Sequence, residues 1–217
     1  MDKKVNPKNP RYYDDPLRPG YNNEGEMWQA KPSRVKRYMS GKVIPFLNLT
    51  PDMICVDMGE SNPRMEYMKS QLPGIRIDQC TVNDFNFDQV DIGTKYDAIF
   101  AFDIFEHIQN GLFFMYQMKR LLKDGGSIYV NVPENSYWLW ARKHYFEMRR
   151  KRFEKWIVIP LGMKIVRQKH IIFFADWRAI FIGIRPLVKV IQGKYDIIEI
   201  FRNIFCIQFR IYELRKV

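Results

Sequence analysis

Four places in this 217-residue chain carry residue types that can do chemistry. In Asp57-Met58-Gly59-Glu60-Ser61-Asn62-Pro63, Gly59 lets a ligand approach the backbone closely, and Asn62 can cap a helix that starts with Pro63. Asp78, read as the end of a second strand, offers a carboxylate that can accept hydrogen bonds from both hydroxyls of a ribose. His107, in Glu106-His107-Ile108, either takes a proton from a hydroxyl or braces its own helix. His144 is a second candidate base, otherwise a stacked surface ring, and His170 reads as structural. Finally, Arg142-Lys143, Arg149-Arg150-Lys151-Arg152 and Lys155 put seven bases into fourteen residues, among Tyr145, Phe146, Phe153 and Trp156. On a helix the bases would line one side and the aromatics would dock inward. That side is either merely solvated or a seat for phosphate, on a nucleotide-sugar, a lipid-linked pyrophosphate, an anionic membrane surface or RNA.

The elements that must hold these residues alternate. Met53 to Met58 is a short apolar run ended by Gly59, and Pro63 to Leu72 is a helix stopped by Pro73-Gly74. Gly74 to Asp78, Tyr96 to Phe102 and Ser127 to Val132 read as three further strands. A helix from about Ile104 to Leu122 carries Phe105, Ile108, Leu112, Met115, Met118 and Leu122 at spacings of three and four, and Asp124-Gly125-Gly126 closes it. Strands alternating with helices predict an α/β fold with a doubly wound sheet and helices on both faces, in which ligands bind at the C-terminal ends of the strands. Residues 1–27, with Pro7, Pro10, Pro16, Pro19 and Gly20, form an arm, and one or two helices precede the core. Beyond Pro133, Met163 to Phe174 and Ile204 to Leu214 read as strands. Trp177 to Ile191 is apolar, suited to a core element or to an insertion facing a membrane or a substrate.

The motifs and their order resemble the class I S-adenosylmethionine-dependent methyltransferases. The resemblance rests on Asp57-x-Gly59, the acidic Asp78, Asn83-Asp84-Phe85, the run Tyr96 to Asp103 with Glu106-His107-Ile108, and Leu121-Leu122-Lys123-Asp124-Gly125-Gly126 followed by a strand. Within the superfamily the Glu-His-Ile and Leu-Lys-Asp-Gly-Gly signatures are similar to the type 11-like branch that methylates small molecules, quinones and sugars. The match is strong over residues 50–135 and weaker in the closing strands. It implies a Rossmann-like, mostly parallel sheet with an antiparallel C-terminal strand, and S-adenosylmethionine as cofactor. By position it makes Asp57 a cofactor-binding residue and puts Gly59 and Ser61 beside the methionine part of the cofactor, Asp78 on the ribose, and Asp84 and Phe85 near the adenine. Phe102 and Asp103 would line the methionyl and sulfonium side, with His107 facing the substrate. One departure is that the family's three loop glycines are here Gly59, Ser61 and Pro63. Serine is small, and proline in a first helical turn gives up only an N–H that would go unpaired.

Charge is divided unevenly. Residues 1–50 carry 10 Lys/Arg against 5 Asp/Glu, 51–135 carry 7 against 13, 136–163 carry 7 against 2, and 164–217 carry 11 against 4. An acidic cofactor-binding core (49–135) is thus flanked by a basic N-terminal part (1–48) and a basic C-terminal part (136–217) of one domain. The lone Cys55, Cys80 and Cys206 and the dispersed histidines fit no metal pattern, so no metal is expected. No apolar run approaches the roughly 20 residues that span a bilayer, and Met1-Asp2-Lys3-Lys4 opens no signal peptide, so a cytoplasmic protein, peripheral to the membrane at most, is expected. The expected activity is methyl transfer to a hydroxyl of a sugar, glycan or other small metabolite. The competing expectation is an inactive scaffold of the same fold whose flanks, through Arg149, Arg150, Lys151 and Arg152, bind RNA or a membrane surface. RNA ranks lower, because no recognisable RNA-binding module is present.

Overall fold

The structure, a computed structural model, describes residues 36–59, 63–80, 94–134, 148–174 and 206–217. Its six strands are β1 (Ile54–Met58), β2 (Arg76–Cys80), β3 (Tyr96–Ala101), β4 (Leu122–Pro133), β5 (Met163–Phe174) and β6 (Cys206–Lys216). They form one sheet in the order β2-β1-β3-β4-β6-β5. The pairs β1–β2, β1–β3 and β3–β4 are parallel, and β6 runs antiparallel to both β4 and β5. Strand order therefore reverses between β1 and β3, which fixes the crevice at their C-terminal ends.

Side chains alternate between the faces, as a pleated strand requires. Val56, Met58, Ile99, Ala101, Ile128, Val130, Tyr212 and Leu214 point to one side, where α2 (Gly111–Leu121) and α3 (Arg150–Phe153) with its π-helical continuation Glu154–Val158 cover them. Cys55, Ala98, Phe100, Tyr129 and Ile211 point to the other, under α1 (Pro63–Gln71) and the helical turns Met39–Val43 and Ile44–Phe46. Both faces are buried, which is why the parallel strands read as nearly continuous apolar runs.

Three boundaries differ from the sequence expectation. The long helix is interrupted: Phe105–His107 is a 3-10 turn, Ile108 turns extended, and α2 starts only after Asn110, whose side chain accepts from the Phe113 N–H at 3.1 Å. An Asn N-cap followed by Gly outweighed the continuing 3.6-residue apolar period. Asp124-Gly125-Gly126 does not close that helix. Leu122 is already extended, and the four residues 123–126 are absorbed as an irregularity between the Tyr96↔Leu122 and Ala98↔Ser127 pairs. Third, β2 runs from Arg76 to Cys80, because the ladder with β1 continues from Ile54↔Arg76 to Met58↔Cys80 and the Gly59 N–H extends it to the Cys80 carbonyl at 3.0 Å. Asp78 is consequently in the middle of β2, not at its end. Residues 1–35 and the apolar 175–205, including the expected arm, lie outside the described residues.

Candidate active site

The crevice between β1 and β3 is built from backbone first. Gly59 follows β1 at φ 140°, a conformation L side chains rarely adopt. Both of its backbone polar groups are held by β2: the N–H by Cys80, and the carbonyl by the Gln79 amide at 3.2 Å. One residue before the strand end, Asp57 is almost completely buried, and its Oδ2 has no hydrogen-bond partner among the described residues. Burial pushes its carboxyl up to about 7, with Lys69 of α1 pulling the other way.

Across the crevice, β3 delivers Phe102 and Asp103. Phe102 is half-buried and stacks on Phe100, 5.9 Å between centroids. Asp103 is the one non-glycine residue with positive φ among the described residues, at 55°. Such a conformation persists only when the surroundings hold it. Here the fully buried Asn131 of β4 does so twice: its Oδ1 accepts from the Asp103 N–H, and its Nδ2 donates to Asp103 Oδ1, both at 2.6 Å. Asp103 is also ion-paired with Arg64, which stands in the first turn of α1 on the opposite side of the crevice. The Arg64 guanidinium lies 5.6 Å from the centroid of the Tyr38 ring, and Tyr38 in turn hydrogen-bonds Asn131. Burial lowers the pKa of Arg64, while Tyr38 and Glu106 raise it. Burial likewise raises that of Tyr38.

Of the residues expected in the site, Asp57, Gly59, Phe102 and Asp103 are brought together around the crevice. His107 follows four residues after Asp103, half-buried in the 3-10 turn, its N–H bonded to the Ile104 carbonyl at 2.9 Å. Asp78 stands apart, with both carboxylate oxygens taken by the Arg76 guanidinium at 2.8 and 3.0 Å. Ser61, Asp84, Phe85 and His144 lie outside the described residues. His170 is on β5, its Nε2 3.7 Å from Glu134 Oε2. Glu134 itself, just past the end of β4, is locked by Arg210 at 2.9 Å to each oxygen. Sequence reasoning missed Arg64 and Asn131. The signals were an arginine in the first helical turn after the glycine loop and one amide in the apolar run Ile128 to Val132. It also turned Trp156 inward, whereas 52% of Trp156 is exposed and, of that segment's aromatics among the described residues, Phe153 alone docks inward.

The residues at the methionyl end fit an α-amino acid: one buried guanidinium and one carboxylate face each other across a loop whose backbone a ligand can approach. A depression of about 190 Å³ lined by Asn48, Asp97, Gly126 and Arg215 lies at the opposite, N-terminal edge of the strands and is too small for a nucleoside. No group of His, Cys, Asp and Glu that could hold a metal ion occurs among the described residues.

A family model described as a methyltransferase domain matches residues 33–174. No curated protein matches. Among solved structures, an S-adenosylmethionine-dependent methyltransferase of Archaeoglobus fulgidus superposes with a TM-score of 0.58 at 15% identity, over 90% of this chain and 99% of that one. A methyltransferase of Bacillus halodurans gives 0.53 at 11%, over 86% and 99%. Phosphoethanolamine N-methyltransferase 2 of Haemonchus contortus, solved with phosphomonomethylethanolamine and S-adenosylhomocysteine, gives 0.54 at 9%, over 91% of this chain and 61% of that one. These likenesses carry the fold, and nothing in them singles out the type 11-like branch or favours the inactive scaffold. With the family model covering well over half of the chain, this protein belongs to the class I S-adenosylmethionine-dependent methyltransferases.

Proposed function

We propose that this methyltransferase acts on a hydroxyl of a sugar, a glycan or another small metabolite, in the cytoplasm. The observation that carries the reading is His107, half-buried in the 3-10 turn that follows Asp103 at the edge of the crevice. S-adenosylmethionine supplies an electrophilic methyl group when bound. Gly59 leaves room for its amino-acid end, Arg64 attracts the carboxylate, Asp103 attracts the ammonium, and Phe102 gives the methionyl side an apolar wall. Transfer to carbon-bound oxygen needs the nucleophile held in line in a dry pocket, and removing the hydroxyl proton makes that oxygen a better nucleophile. His107 takes that proton. For the ribose, Asp78 is the one carboxylate of β2, and it must leave Arg76, which is 67% exposed, to serve.

Calorimetric titration with S-adenosylhomocysteine tests the binding half of this reading. Asp78→Ala is expected to weaken binding by about 1–3 kcal/mol, the worth of hydrogen bonds to a ribose. Unchanged affinity removes Asp78 from the site. His107→Ala is expected to slow methylation of a hydroxyl acceptor by roughly 10²–10⁴-fold with the titration unaltered, and a normal rate eliminates it as base.

A further inference from the structure

The helix made of α3 and its π-helical continuation divides its residues sharply. Phe153, Ile157 and Val158 are buried against the sheet, whereas Lys151, Arg152, Lys155, Trp156 and Ile159 are exposed. Residues 151, 155 and 159 follow one another at intervals of four, with 152 and 156 in the neighbouring row, so bases and large apolar groups share one outward strip. Trp156 is 52% and Ile159 64% exposed. The Arg152 guanidinium lies 5.8 Å from the centroid of the Trp156 ring, and the helix's only acid, Glu154, is paired with Arg150 at 3.8 Å. α2 packs beside this helix on the same face of the sheet, and its own outward row is Leu112, Tyr116 and Arg120. Four of the six large hydrophobic residues exposed among the described residues therefore fall on the outside of this one helical layer, together with the bases Arg120, Lys151, Arg152 and Lys155.

We propose that this outer surface docks on an anionic lipid bilayer, lying in the interface without spanning it. The chemistry favours lipid over nucleic acid. Phosphate on either would satisfy the Lys and Arg, but Ile159 and Leu112 gain nothing from a polynucleotide, while an acyl boundary takes up Trp, Tyr, Ile and Leu together. Long basic side chains can reach up to headgroups as the apolar ones enter beneath them. No described helix is long and apolar enough to cross a membrane, and a surface of mixed bases and apolar side chains binds an interface reversibly. The layer also meets the active-site edge: α2 begins there, and the Arg150 N–H at the start of α3 donates to Glu134 just past β4 at 2.8 Å. Docking would bring the mouth of the crevice close to the headgroup plane.

Co-sedimentation of the full chain with phosphatidylcholine vesicles, with and without phosphatidylglycerol, tests this. Binding is expected only with the anionic lipid and is expected to weaken as salt rises. Lys151→Gln with Lys155→Gln should reduce partitioning by roughly thirtyfold, since each base near the surface contributes about fivefold. Trp156→Ala with Ile159→Ala should also reduce it, with circular dichroism and S-adenosylhomocysteine binding unchanged. No sedimentation with phosphatidylglycerol at low salt overturns the proposal. So does binding that ignores the Trp156/Ile159 pair, and so does RNA binding more tightly than vesicles at equal phosphate concentration. None of these outcomes bears on the hydroxyl acceptor.

Discussion

Asp57 has a pH dependence opposite in sign to that of most carboxylates. Its carboxyl keeps a proton up to about pH 7 when folded, whereas the unfolded chain releases it near 3.8. Folding is therefore penalised progressively as pH rises from 3.8 through 7, and the penalty is complete above that. Asp57→Asn, which mimics the protonated group, is expected to raise the urea midpoint above pH 7 and to lose that advantage as pH falls towards 3.8. An advantage independent of pH would show that the buried carboxylate is already compensated. At this scale the sequence revealed the residues around the crevice but not how they engage. Asp103 was visible as the residue after a strand, yet its left-handed backbone depends on Asn131, which lies 28 positions away and shows only in three dimensions. The place of Asp78 was misread for a similar reason: where β2 ends is decided by its ladder with β1, which runs on to Met58↔Cys80.

Among the elements, the passage from α2 into β4 is the least conventional. No loop separates them, and of residues 123–126 it is Gly126 that is pressed against β3. A Cβ on Gly126 would sit 2.8 Å from the Asp97 carbonyl oxygen and 2.9 Å from Leu122 Cδ1. The first is backbone and cannot swing aside, so Gly126→Ala is expected to destabilise the fold by about 1–3 kcal/mol, the usual cost of overpacking. Thermal denaturation measures it, and an unchanged Tm would mean that the strand pair separates easily at this point. Strands β1 and β3 were legible because apolar residues run together where both faces are covered. The interruption after Ile108 was legible too, in Asn110-Gly111, but a continuous apolar period masked it. A Gly-Gly pair ordinarily ends a helix, and nothing local distinguishes that use from a strand irregularity.

At the scale of the whole molecule, β6 ties the sheet together through Glu213, whose side chain is fully buried. Burial alone would raise its pKa, but Arg167 at 2.5 Å, Arg215 at 2.7 Å and Ser127 at 3.0 Å hold it below the usual 4.5. A depressed carboxylate contributes stability that is present above the unfolded pKa and lost as pH falls through the folded one. Stability is thus expected to drop below pH 4.5, and Glu213→Gln should flatten that part of the pH profile in urea titrations. The alternation of strand and helix made the parallel half readable, and the two C-terminal strands were visible as strands. Their order was not, because nothing local says that the later one lies inside. That order has a consequence for biogenesis. β5 leaves the ribosome before β6, but it touches the sheet only through β6. Until β6 arrives, β4 presents an unpaired edge and β5 has no strand to join, so a nascent chain passes through a stage prone to sticking to its neighbours.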